Sequence, residues 1–159
     1  MTRLTAKLSV CLSLAGLLIG SAIVTESPAG ATPSTCGVVS VALVDAKLGI
    51  AAAHVNARRP SSVALICSYY GNSGRASNEA TINYLPASKR TFLAIEASLA
   101  KTHSIRRISG IKSGAYTYVA GTERFLYVLD NTTQVQMFAI DSVSLGRLEA
   151  LARALPLFS

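Results

Sequence analysis

Tryptophan is missing, and methionine (two), histidine (two) and cysteine (three) are scarce. Each shortage removes some chemistry. His54 and His103 have no His, Cys, Asp or Glu partner at helical or knuckle spacing, so no zinc-type ligand set is legible. Acidic side chains are few: eight Asp and Glu stand against 15 Lys and Arg, a formal charge of +7. A carboxylate pair for glycoside cleavage would come from Asp45, Glu79, Glu96, Glu123, Asp130, Asp141 and Glu149, most of them on predicted helix faces or turns. No G-x-S-x-G elbow or serine–lysine box is present. The Gly110–Gly114 link lacks the ending of a phosphate-binding loop and opens no helix. It reads as a backbone turn, and no cofactor is expected.

Long apolar runs are also lacking, with one exception. Arg3 and Lys7 precede an apolar run from Leu8 to Val24, and Ala29-Gly30-Ala31 then places small residues where a signal peptidase reads. This pattern predicts a cleaved secretory signal peptide over residues 1–31 and one globular domain over residues 32–159. The alternative is a retained anchor, for which the run is slightly short against the roughly 20 residues of a bilayer crossing. Cys11 lies too early for lipid attachment, and Cys36 follows Pro33-Ser34-Thr35 rather than a small-residue box. No membrane span is expected in the mature chain. That chain keeps 13 of the 15 basic residues and seven of the eight acidic ones. Outside a cell, such a balance favours an anionic envelope polymer or another envelope protein, and nucleic acid is not an expected partner.

Removal of the signal takes Cys11 with it and leaves Cys36 and Cys67. In an oxidising compartment these two pair, the alternative being two reduced buried thiols. The bridge would close a loop of about 32 residues, for which chain entropy gives ~3.7 kcal/mol.

Periodicity supplies the elements. Ser40 caps a short helix over Val41–Leu48, with Val41, Val44 and Leu48 in step and Gly49 at its end. Ile50–Asn56 reads as a soft first strand, Arg58-Arg59-Pro60-Ser61 as a turn, and Ser62–Tyr70 as a strand apolar on both faces, hence central. A polar loop from Gly71 to Asn78 leads to an alternating strand over Glu79–Leu85. Ser88 caps a second helix whose stripe is Phe92, Ile95 and Leu99, with Glu96 largely off it. Ser104–Ser109 reads as a strand. Three more, over Tyr116–Ala120, Arg124–Asp130 and Gln134–Ile140, have connections too short for anything but antiparallel neighbours. A last helix starts at Ser142 or Ser144 and stops before Pro156. The order predicts an α+β domain, a mainly antiparallel sheet of about five to seven strands covered by two to three helices.

The same order of signals is similar to a family of small secreted proteins and lipoproteins of unknown function from actinobacteria. The matching residues are Cys36, Leu48-Gly49, Cys67-Ser68-Tyr69, Gly110–Ala115 and Leu148-Glu149-Ala150-Leu151-Ala152. Where that family often carries a lipid-attachment cysteine this chain has none, and Lys112-Ser113 stand where the glycine link often holds an acid. The resemblance implies a disulfide and an exported compartment, and no reaction.

Two features remain as candidate binding groups. One is a set of basic doublets, Arg58-Arg59, Lys89-Arg90 and Arg106-Arg107, which would form an anion-docking patch if the fold joined two of them. The other is strand tyrosines: Tyr69 and Tyr70 at the exit of the cysteine strand, and Tyr116 with Tyr118 on one face. Isolated solvated charges and ordinary half-buried strand residues are the plainer explanations. The expected function is a non-catalytic, exported binding module for an anionic, glycan-like or protein partner. The alternative is a small secreted hydrolase whose site the sequence hides.

Overall fold

The computed structural model describes residues 35–71, 80–140 and 142–156. The expected signal peptide with its cleavage point, and the polar loop from Asn72 to Asn78, lie outside the described residues.

Seven antiparallel strands form one sheet. In chain order these are α1 (Val41–Leu48), β1 (Ala52–Ser61), β2 (Ala64–Gly71), β3 (Ala80–Pro86), α2 (Lys89–Leu99), β4 (Arg106–Ile108), β5 (Gly114–Ala120), β6 (Glu123–Asp130), β7 (Thr133–Ile140) and α3 (Leu145–Ala154). Across the sheet the order is β1-β2-β3-β7-β6-β5-β4. Two meanders, β1–β3 and β4–β7, are thus joined where β3 pairs with β7, as in Ile82 opposite Met137. The α+β expectation holds.

The hairpin turns follow from local chemistry. Gly121 (φ +60°) and Asn131 (φ +54°) adopt the left-handed backbone that two-residue hairpin loops need. Ser40, Ser88 and Ser144 each accept the N–H three residues on, at 3.1, 3.1 and 3.3 Å, satisfying a donor that the first helical turn leaves open.

α1 and α3 lie on one face of the sheet. Val44, Leu48, Leu148, Leu151 and Ala152 pack there with Leu65, Ile82, Leu126, Val135 and Met137 in the main core. α2 lies on the other face, where Phe92 meets Tyr116, Tyr127 and Leu129 in a smaller cluster. Cys36 is bonded to Cys67, tying the segment before α1 to β2.

Three readings need correction. Arg58-Arg59-Pro60 is strand, and the chain reverses at Ser62-Val63 instead. Proline fits because β1 is an edge strand, where a missing ladder donor costs little. β2 is second from that edge, and β7 is the central strand. Only one face of β2 (Leu65, Cys67, Tyr69) is fully buried, while Ile66 on the other is half-exposed, so an apolar residue misled the face count. Glu96 is buried rather than on the polar side of α2, and Arg107 Nε donates to it at 2.5 Å.

Candidate functional site

Alternation along paired strands sorts side chains into cross-sheet rows. On the α2 face one row runs Asn56, Ser68, Thr81, Phe138, Phe125, Tyr118 from β1 to β5. The next runs Arg58, Ile66, Asn83, Gln136, Tyr127, Tyr116, Arg107 from β1 to β4. α2 packs over the β5–β6 end of these rows. Toward β1 the side chains of Ser68, Tyr70, Thr81, Asn83, Gln136 and Phe138 stay half-exposed, in contrast to the opposite face.

This open half is polar and aromatic together. The Ser68 and Thr81 hydroxyls share a hydrogen bond at 3.3 Å. Among the described residues Asn83 Oδ1 finds no hydrogen-bond partner, nor does Nε2 of the buried Gln134 one row further. His54 stacks on Tyr70 with centroids 5.5 Å apart. Phe125 stacks on Tyr118 at 4.7 Å and meets Phe138 edge-on at 5.1 Å. Thr81, Glu123, Phe125, Phe138, Ala139 and Ile140 line an open cavity of about 360 Å³ here, at the low end for ligand pockets. A second cleft of about 210 Å³ beneath α2 includes Phe92, Glu96, Arg107 and Gly114.

The expected site residues scatter. Tyr69 has 0 % exposure and its hydroxyl donates to the Val39 carbonyl at 2.8 Å, so it serves the core. Burial pushes that phenol up to about 12. Tyr116 and Tyr118 share a face as the alternation implied, yet both are buried, at 1 % and 6 % exposure, and burial raises the Tyr116 phenol further still. Of the four, Tyr70 alone reaches the open face half-exposed.

The basic doublets separate as well. Arg58 and Arg59 lie on β1 and Arg106 and Arg107 on β4, the two opposite edges of the sheet. Arg106 is paired with Glu149 and Arg107 with Glu96. His103 stacks on Tyr118 at 4.9 Å, away from His54. Among the described residues no three of His, Cys, Asp and Glu gather to hold a metal ion. No described helix is long and apolar enough to cross a membrane.

Sequence reasoning weighed Glu123 only as one of seven carboxylates and overlooked the residues around it: Ser68, Thr81, Asn83, Phe125, Gln136 and Phe138. For Thr81, Asn83, Gln136 and Phe138 the sequence signal is alternation on β3 and β7 with residues that become core, and it acquires meaning once β3 is seen beside β7. No known protein family, curated protein or solved structure matches the chain.

Proposed function

We propose that this chain is an exported, non-catalytic binding module of the cell envelope whose open sheet face holds a glycan. The observation that carries it is the open face itself, where hydroxyl and amide side chains on β2, β3 and β7 border the aromatic rings of Phe138 and Phe125 beside a shallow cavity. A sugar ring has the matching make-up, apolar C–H faces bordered by hydroxyl edges. Ser, Thr, Asn and Gln supply both donors and acceptors for those edges, and aromatic rings supply apolar contact. The Cys36–Cys67 bond suits an oxidising compartment and so supports export. The resemblance to actinobacterial secreted proteins belongs to this same reading.

Net charge favours an anionic polymer less, because the doublets on β1 and β4 sit at opposite edges of the sheet and each gives this face a single arginine, Arg58 at one end and Arg107, paired with Glu96, at the other. Among the described residues no reactive cluster favours the hydrolase.

Retention of the purified chain on isolated cell wall and on neutral polysaccharide, at low and high salt, tests the proposal. We expect retention that persists at high salt and falls at least about tenfold in Phe125→Ala, the loss of roughly 1.4 kcal/mol of contact. Thr81→Arg, which fills the cavity from a half-exposed strand position, should give the same loss without touching the core. Retention that vanishes with salt would instead mark a charged polymer. Binding to neither material, or binding indifferent to both variants, overturns the glycan reading.

A further inference from the structure

Glu123 sets the chemistry of the cavity. Among the described residues that line the cavity it is the single carboxylate, at the start of β6 opposite Ile140. Arg107 and Arg106 pair with Glu96 and Glu149, and among the described residues no ion pair or side-chain hydrogen bond holds the Glu123 carboxylate. Its neighbours in the lining are Phe125 and Phe138, set edge to face at 5.1 Å, with Thr81 at the polar side. An exposed carboxylate next to aromatic rings recognises one kind of group well, a compact cation. The carboxylate accepts charge-assisted hydrogen bonds from it, and a ring face within about 6 Å attracts it.

We propose that the pocket is selective for a glycan carrying a free, protonated amino group, an amino sugar whose nitrogen is not acetylated. This rests on the glycan reading above and adds to it the substrate class. The ammonium would sit against Glu123, with the sugar's apolar face on the phenylalanines and its hydroxyls toward Thr81. Acetylation removes the charge and puts a carbonyl and methyl where the carboxylate needs a donor, so the N-acetylated sugar loses the contact that Glu123 supplies. A cavity of about 360 Å³ suits one ring rather than a chain. The excess of basic residues in the exported chain, 13 against seven acidic, opposes long polycations, which makes short oligosaccharides the fitting ligand.

The test compares glucosamine oligosaccharides with their fully N-acetylated counterparts by titration calorimetry, at a pH where the amine is protonated. We expect at least about tenfold tighter binding of the free-amine oligomer. Glu123→Gln should bring its affinity down to that of the acetylated one. Glu123→Asp, which keeps the charge, should retain part of the preference. Equal binding of the two oligomers, or a preference that survives Glu123→Gln, overturns the amino-sugar inference and leaves the glycan reading standing. Absence of binding to either oligomer also overturns the inference, and the wall and polysaccharide retention experiment separately decides whether the glycan reading falls with it.

Discussion

Tyr69 links the two ends of the first structural unit. Its ring is buried on the core face of β2, and its hydroxyl meets the Val39 carbonyl just after the cysteine that bonds to its neighbour strand position. Replacing it by Phe leaves that carbonyl without a partner and should cost ~1–2 kcal/mol in a denaturant titration. Burial also decides how this residue ionises. The unfolded phenol loses its proton near 10, whereas in the fold it is held to about 12. A raised folded value means stability is fully present below pH 10 and is lost as pH rises toward 12. Tyr84, Tyr116 and Tyr127 are shifted in the same direction, chiefly by burial. Tyrosinate absorbance should therefore climb together with loss of the folded circular-dichroism signal in alkaline solution. Ordinary titration of all the tyrosines near pH 10 with the fold intact would contradict this burial. Sequence placed Tyr69 on a strand correctly but could not say which side of the sheet was covered, since that depends on where α1 lands.

At the scale of elements, the contact between α1 and α3 turns on one glycine. Gly49 ends α1 with φ +66°, and a methyl group there would meet Arg147 Nη1 at 2.7 Å. That guanidinium donates to the Leu48 carbonyl at 2.8 Å, so it serves as a cap borrowed from another helix. Gly49→Ala should cost about 1–3 kcal/mol, combining left-handed backbone strain with displacement of Arg147. Thermal melts of Gly49→Ala and Arg147→Ala, alone and combined, check this: the double variant should lose less than the sum. The end of α1 was legible in sequence because Gly at that position carries its own backbone rule. Its partner was not, since Arg147 lies 99 positions from Leu48 and nothing local connects them. Edge strands were obscured for a related reason. Arg58-Arg59-Pro60 has turn-like composition, and it becomes strand only because β1 has one unpaired side.

For the whole molecule, the cysteine bond governs how much the first unit adds to stability. Loop closure over a separation of 31 residues gives ~3.7 kcal/mol on the entropy account. Reduction, or Cys36→Ser with Cys67→Ser, should lower the unfolding free energy by roughly 3–4 kcal/mol in urea. A loss under about 1 kcal/mol would show that the segment before α1 and α1 itself hold to the sheet without the bond. Cysteine arithmetic made this pair readable before any coordinates. The open face was not readable, because its rows draw on strands from both meanders and exist only once β3 and β7 are neighbours.

That neighbouring has a temporal side. The chain is made from its N-terminus, so β1, β2 and β3 can pair early while the outer side of Ala80–Pro86 has no strand to bond. Its partner, Thr133–Ile140, is the last strand of the sheet. Closing a contact of this sequence separation is slow compared with closing a hairpin. Until it closes, β3 is an exposed edge of the kind that joins neighbouring chains. The rows of the open face draw on both meanders and come together in that same step, so this face is completed only when β7 docks.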